Sequence, residues 1–148
     1  MYKTILILIC IFILICIYLS HNINTLEIAQ YTIKNKKIPK EFDGYNIVQI
    51  SDLHSKSFGK NNIKLLQKIK SLNPDIIVIT GDLVDGENNN YDIALNFMKE
   101  LTKLYKVYYI IGNHEQKALI KKYKQEYIKY FEELNQIDFI NLDDDKVK

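Results

Sequence analysis

Three short polar clusters hold the residues of this chain that could carry out chemistry. They are Asp52-Leu53-His54, Gly81-Asp82-Leu83-Val84-Asp85 and Gly112-Asn113-His114-Glu115, at intervals of about thirty residues. Taken singly, an aspartate or histidine of this kind is usually a turn former, a cap or a structural residue. Together, the clusters bring carboxylates, imidazoles and an amide with no thiol beside them, a donor set that favours Mn, Fe, Zn or Mg ions over soft metals. The clusters therefore indicate a metal site.

Each cluster follows an apolar, β-branched run that is typical of a buried strand. The predicted strands are residues 46–51, 75–80 and 107–111, with a fourth at 137–142. Because the carboxyl ends of parallel strands share one edge, where open α/β sheets bind ligands, we expect the clusters to converge there. Asp52 and His54 are two residues apart, so an extended chain would point both side chains to the same side. Gly81 and Gly112 each precede a polar residue, as expected where the backbone approaches another group closely.

Apolar residues at helical spacing separate the strands and predict three helices. The stripes are Ile63, Leu66, Ile69 and Leu72 in the first helix, Ala94, Phe97, Leu101 and Leu104 in the second, and Leu119, Tyr123, Tyr127, Tyr130 and Leu134 in a single long third helix. This alternation of strands and helices indicates βαβ units, parallel strands and right-handed crossovers. The predicted fold class is therefore α/β.

Composition and charge exclude several classes of protein. The 148 residues contain 20 basic residues, all lysine, against 18 acidic ones, so no electrostatic footprint of nucleic-acid binding is present. Both cysteines, Cys10 and Cys16, lie within an apolar N-terminal run. The rest of the chain has no thiol, which excludes a disulfide scaffold, a zinc finger built on cysteines and a cysteine nucleophile.

The N-terminal run is uncharged over residues 5–19. As a helix its fifteen residues span about 22 Å, and flanking residues extend it toward the ~30 Å hydrocarbon core of a bilayer. We expect a single-pass membrane anchor. The alternative is a cleaved signal peptide with Lys3 as its basic region, although no small-x-small cleavage site follows the run. Lys3 and the lysines of residues 34–40 flank the run on opposite sides, so the positive-inside rule leaves its orientation open.

In this order and at these intervals, Asp-x-His, Gly-Asp-x-x-Asp and Gly-Asn-His-Glu resemble the first three motifs of the calcineurin-like metallophosphoesterases. The flanking residues 49–54 and 73–82 resemble the small bacterial membrane-associated branch of that family. The resemblance covers about residues 45–142. It implies an α/β fold that is the N-terminal βαβαβ part of a four-layer metallophosphoesterase sandwich, preceded by a single N-terminal transmembrane helix.

Three segments are expected from the sequence and the resemblance together. Residues 1–22 form the transmembrane anchor, and residues 23–44 form a linker or edge strand, with the strand at residues 26–33. Residues 45–148 form the N-terminal part of the metallophosphoesterase domain.

The resemblance implies a centre of two divalent metal ions, which could be Mn, Fe, Zn or Mg. Asp52 and His54 would bind the first ion. Asp82 would bridge both ions, and Asn113 would bind the second through its amide oxygen. Two cations about 3.5–4 Å apart lower the pKa of a bridging water and hold a phosphate for in-line attack.

The resemblance also implies the catalytic residues and the activity. His114 would be the catalytic imidazole, which protonates the leaving oxygen or stabilises charge on the phosphoryl group. Asp85 would orient His114 or a metal ligand. The implied protein is a hydrolase of phosphomonoesters or phosphodiesters, attached to the membrane by its N-terminal helix.

The chain departs from the family pattern after its third motif. Family members close the site with a histidine on a later strand and a Gly-His-x-His pair, whereas no histidine follows His114 here. We therefore expect a fragment that is weakly active or inactive alone, with Asp143-Asp144-Asp145 as the turn of a final hairpin. The alternative is a non-catalytic membrane-tethered module that binds metal or phosphate or serves as an interaction partner. A Rossmann-like nucleotide binder ranks last, because no Gly-x-Gly-x-x-Gly follows the first strand.

Overall fold

Four parallel strands form one sheet in the computed structural model, which describes residues 2–23, 25–87, 90–120 and 124–142. They are β1 (Ile47–Ile50), β2 (Ile76–Ile79), β3 (Lys106–Tyr109) and β4 (Ile140–Asn141), in that order across the sheet. Ile50 pairs with Ile79, and Ile79 with Tyr109, so the carboxyl ends of the first three strands are level. The parallel sheet confirms the α/β prediction. Each strand is shorter than predicted, because the pairing between neighbouring strands covers only the middle of each predicted run or part of it.

Helices precede and connect the strands. They are α1 (Tyr2–Ile23), α2 (Ile63–Ser71), α3 (Asp92–Thr102), α4 (Asn113–Ala118) and α5 (Lys124–Leu134). The prediction of one long helix after the third strand was wrong, because α4 ends after two turns and its chain continues as a turn through Leu119 and Ile120. Tyr123, predicted on that helix, and the hairpin turn predicted at residues 143–145 lie outside the described residues.

The buried faces of two helices differ slightly from the predicted stripes. Helix α2 buries Leu65, Leu66 and Ile69, whereas Ile63 at its first residue is 49% exposed. Helix α3 buries Ala94, Leu95, Phe97, Met98 and Leu101. Leu104, predicted to continue that stripe, lies beyond the end of α3 and is 56% exposed. Both errors fall at helix ends, where a spacing rule cannot tell the last buried turn from the first residue of the connecting loop.

The core of the domain lies against one face of the central strands. Ile77 and Ile79 of β2 and Val107 and Tyr109 of β3 are almost fully buried, while the residues between them are only half-buried. Helix α3 packs on β3 and on α5. This burial holds the strand ends, and the clusters that follow them, on a rigid support.

The chain divides into two compact units, Met1–Asn35 and Lys36–Lys148. Helix α1 contains an 18-residue stretch, Tyr2–Leu19, with a mean hydropathy of 2.6 and exposed side chains, so it is long and apolar enough to cross a membrane. A signal sequence at this position would meet the same criteria. Residues 25–35 form no strand, so the strand predicted at residues 26–33 was wrong. Its apolar alternation is imperfect, and the described part of this unit offers no strand to pair with it.

Candidate metal centre at the strand ends

Two glycines allow the ends of β2 and β3 to come into contact. Gly81 has a φ of +95°, and a Cβ on it would overlap the backbone of Gly112. A Cβ on Gly112 would in turn overlap the backbone and carboxylate of Asp82. The close approach predicted at both glycines is confirmed. The polar residues that follow β2 and β3 therefore lie directly beside one another.

The loop that follows β1 rests on the loop that follows β2. The backbone N–H groups of His54 and Ser55 donate to the carbonyls of Asp82 and Leu83, at 2.9 and 2.8 Å. Asp52, His54 and Asp82 all have positive φ angles of 48–57°. The prediction that an extended chain aligns Asp52 with His54 was therefore wrong, because both residues have left-handed backbone angles. With Ser55, whose φ is +55°, four non-glycine residues at this edge are left-handed, a concentration of backbone strain that is typical of functional sites.

The loops after β1 and β2 and the first turn of α4 bring His54, Asp82 and His114 together. Their ligand atoms all lie within 4.8 Å of one another, and all three residues are half-buried. The rings of His54 and His114 pack edge to face with centroids 4.4 Å apart. Two imidazoles and a carboxylate are donors for Zn, Mn or Fe, so the residues present fit a divalent metal ion. We call these three residues the strand-end cluster.

Asp52 lies next to the strand-end cluster. One carboxylate oxygen, Oδ1, is 3.7 Å from Nε2 of His54, and the Asp52 side chain is 66% exposed. The Asp52 carboxylate is thus available to solvent and to an ion bound beside His54. Asn113, at the first residue of α4, is also exposed. The metal-binding roles of Asp52 and Asn113 stay predictions.

His114 is held from two directions. Its backbone N–H donates to Oδ1 of Asp82 at 2.8 Å, and its Nδ1 accepts the backbone N–H of Gly86 at 3.3 Å. In the neutral ring this bond leaves the proton on Nε2. The Asp85 carboxylate lies 3.7 Å from Nδ1, close enough for charge interaction but longer than a hydrogen bond. The structure thus places Asp85 beside His114, one of the two kinds of residue that it was predicted to orient, and its orienting role stays a prediction.

Sequence reasoning assigned no role to Glu115, which is fully buried. Its carboxylate accepts five hydrogen bonds, four from backbone N–H groups and one from a tyrosine hydroxyl. The donors are Asp82, Leu83, Val84 and Gly112 through their N–H groups and Tyr109 through its hydroxyl, at 2.7–3.4 Å. The available signal was its position at the third residue of α4, where a glutamate accepts the N–H of the residue preceding the helix.

Buried tyrosines bond to residues near the strand-end cluster and stay protonated. Burial, together with Tyr130 and Glu115, raises the pKa of Tyr109 far above its usual value. Burial, followed by the charges of Asp85, Glu115 and Glu87, raises the pKa of Tyr127 to about 12. The Tyr127 hydroxyl donates to the backbone carbonyl of Asp85. These hydroxyls therefore act as neutral donors that fasten the loops of the site to the core.

The sheet and the strand-end cluster define a candidate metal-binding α/β domain. The family profile described as calcineurin-like phosphoesterase matches residues 45–147. The chain belongs to this family. Among curated proteins it is similar to the uncharacterized metallophosphoesterase YkuE of Bacillus subtilis, with 34% identity over 94 residues, covering 61% of this chain and 33% of YkuE.

Two further relatives extend the comparison. The probable glycerophosphodiester phosphodiesterase GpdQ of Arcobacter nitrofigilis is 34% identical over 110 residues, covering 64% of this chain and 38% of GpdQ. A transmembrane protein with a metallophosphoesterase domain from Danio rerio is 26% identical over 91 residues, covering 60% of this chain and 21% of that protein. The chain thus spans about a third or less of the length of the curated relatives that it matches first. No solved structure matches the chain significantly.

Proposed function

We propose that this chain carries the metal-binding strand ends of a phosphoesterase that hydrolyses phosphomonoesters or phosphodiesters with two divalent metal ions. The observation that carries the proposal is the convergence within 4.8 Å of His54 and Asp82, from the loops after β1 and β2, and His114, from the first turn of α4. The printed name of the Arcobacter nitrofigilis relative, a probable glycerophosphodiester phosphodiesterase, makes a phosphodiester the first substrate class to test.

In this proposal Asp52 and His54 would hold the first ion, Asp82 would bind both ions, and Asn113 would hold the second. When bound, the ions would supply an activated water nucleophile and neutralise phosphate charge. The two bonds that hold His114 at its backbone and ring support these placements, because they fix an imidazole beside the carboxylate of Asp82.

His114 is the proposed general acid. In the protonated ring Nδ1 would give up the N–H of Gly86 and donate instead toward the Asp85 carboxylate, now 3.7 Å away, while Nε2–H would be donated to the leaving oxygen. Asp85 then acts by holding the ring in this orientation, as carboxylates commonly do for functional histidines. The buried tyrosines below keep the Asp85 loop in place through the hydrogen bond from Tyr127.

The test is a titration of the 148-residue chain in detergent with Mn²⁺, followed calorimetrically, together with hydrolysis of bis(p-nitrophenyl) phosphate. We expect saturable Mn²⁺ binding and little or no turnover, because the sequence has no histidine after His114 to complete the family pattern. Absence of Mn²⁺ binding would contradict the proposal. Rapid Mn²⁺-dependent hydrolysis would support the enzyme and contradict the expected weakness of this chain.

The second candidate is a non-catalytic membrane-tethered module that binds metal or phosphate or an interaction partner. The three-donor cluster found among the described residues is sufficient to bind one ion without any reaction, which favours it. The test is to fuse the chain to the remaining two thirds of a relative such as YkuE. If the fusion protein binds Mn²⁺ but hydrolyses no phosphodiester, the module is favoured over the enzyme.

We further propose that α1 anchors the chain in a membrane. The apolar stretch Tyr2–Leu19 and the similarity to transmembrane metallophosphoesterase proteins support it. A lysine at the centre of a spanning helix costs about 2.5–3.5 kcal/mol. We therefore expect the double variant Ile9→Lys/Ile13→Lys to leave the membrane pellet during an alkaline carbonate wash, whereas the unmodified chain stays.

The control carries the same added charge outside the apolar helix. Tyr31 and Ile33 are exposed, so Tyr31→Lys/Ile33→Lys should remain in the pellet. A secreted product that lacks the apolar run, detected by mass spectrometry, would assign α1 to a cleaved signal peptide instead.

A further inference from the structure

Glu115 is a buried carboxylate that the proposed reaction does not use. It is fully buried and lies in the first turn of α4, one residue after the proposed general acid. Burial of an uncompensated carboxylate is costly, so its surroundings must supply hydrogen bonds. All five groups that contact it are donors, so the carboxylate acts only as an acceptor, which is the role of its ionised form.

The donors come from the ends of two different strands. Oε2 accepts the N–H groups of Asp82, after β2, and of Gly112, after β3, both at 2.9 Å. Oε1 accepts the N–H of Leu83 at 2.7 Å, with Val84 and the Tyr109 hydroxyl at longer range. A single side chain thus joins the two loops at the point where Gly81 meets Gly112. Charge-assisted bonds of this type are stronger than neutral ones.

Among the residues that Glu115 contacts, Asp82 is the one that belongs to the strand-end cluster. Its φ of +55° is a left-handed conformation that costs free energy for an aspartate. Its backbone N–H is held by Glu115, and its Oδ1 accepts the backbone N–H of His114 at 2.8 Å. The backbone and the carboxylate of Asp82 are therefore both fixed by neighbouring residues of α4.

We propose that Glu115 is a positioning residue, which holds the backbone of Asp82 in its left-handed conformation and thereby aims the Asp82 carboxylate into the strand-end cluster. The inference rests on the proposed metal binding by that cluster. Without the Glu115 carboxylate, the Asp82 backbone would relax toward ordinary angles and its carboxylate would turn away from His54 and His114.

The experiment compares Mn²⁺ binding by the 148-residue chain and by Glu115→Gln. The amide keeps the shape of the side chain but offers one acceptor oxygen and an NH₂ group that faces N–H donors. Loss of a residue that orients a metal ligand typically costs about 10- to 100-fold in metal affinity. We expect Glu115→Gln to lose Mn²⁺ affinity in this range. Hydrogen exchange at the amides of Asp82 and Leu83 should become faster than in the unmodified chain, whereas exchange at Val78 in the middle of β2 should not change.

Two controls separate positioning from stability. Glu133→Gln makes the same chemical change on α5, where Glu133 pairs with Lys129 at the surface, and should leave Mn²⁺ affinity unchanged. Leu101→Val removes one methylene from the buried face of α3 and should lower stability without changing Mn²⁺ affinity. If Glu115→Gln does not fold, Glu115→Asp keeps the charge but shortens the reach, and it should show the same loss of affinity.

Unchanged Mn²⁺ affinity in a folded Glu115 variant would overturn the inference. Failure of both variants to fold would also overturn it, because Glu115 would then be required for folding alone. The two proposals fail in different ways. If the unmodified chain does not bind Mn²⁺, the proposed function is contradicted, and the exchange rates of Asp82 and Leu83 still decide whether Glu115 holds that loop.

Discussion

Asp82→Asn is expected to lower the Mn²⁺ affinity of the chain by more than about 100-fold. Residues that only orient a metal ligand typically cost up to about 100-fold, and a ligand itself should cost more. Asp82 is the carboxylate of the strand-end cluster, between two imidazoles. An asparagine oxygen can still accept the N–H of His114, so the hydrogen bond that the structure shows is preserved. The substitution therefore removes the negative charge and leaves the fold in place.

The matched control for Asp82→Asn is Asp75→Asn at the opposite end of β2. Asp75 accepts the backbone N–H of Asn46 at 2.6 Å, and an asparagine oxygen can do the same. Both variants lose one carboxylate beside the same strand, and both should keep the circular dichroism spectrum of the unmodified chain. Calorimetric titration should then show wild-type Mn²⁺ affinity for Asp75→Asn. Equal affinities for the two variants would remove Asp82 from the metal site.

Gly81→Ala is expected to be the most destabilising single substitution at the strand ends. A left-handed backbone angle costs an alanine about 1 kcal/mol relative to glycine. At Gly81 the new Cβ would also overlap the backbone of Gly112, which cannot move without separating the ends of β2 and β3. We expect a total loss of more than about 3 kcal/mol in the free energy of unfolding, measured by urea denaturation, together with loss of Mn²⁺ binding.

Gly44→Ala isolates the backbone contribution to this loss. Gly44 has a φ of +77°, similar in kind to Gly81, but a Cβ there would have no atom within 4 Å. It should therefore lose only about 1 kcal/mol and keep its Mn²⁺ affinity. If Gly81→Ala were no more destabilising than Gly44→Ala, the contact between the two strand ends would be looser in solution than the structure shows.

Much of the fold follows from local patterns in the sequence. The β-branched runs predicted the four strands, and the spacing of Leu66, Ile69, Phe97 and Leu101 predicted α2 and α3, because both periodicities reflect which side of an element is buried. The strand at residues 26–33 and the single helix after β3 were wrong. Pairing and helix length depend on neighbours distant in sequence, which local periodicity does not contain.

The site was predicted to a similar extent. Its location at the carboxyl ends of the strands follows from parallel topology, and the roles of Gly81 and Gly112 follow from their lack of a Cβ. The left-handed backbone angles of Asp52 and His54 could not be predicted, because they accompany hydrogen bonds between two loops that are distant in sequence. The function of Glu115 was also missed, since it depends on how the first turn of α4 lies against the loop after β2.

The stacking of the loop after β1 on the loop after β2, and of that loop on α4, has a consequence for folding kinetics. The hydrogen bonds from His54 to Asp82, and from Asp82 to Glu115, join residues 28 and 33 positions apart in the chain. The entropic cost of closing such long loops must be met before these contacts can form. We therefore expect the contacts to form only after the strands have assembled. Because these contacts form after the transition state for folding, a cation bound to them would slow unfolding of the domain and leave its rate of folding nearly unchanged.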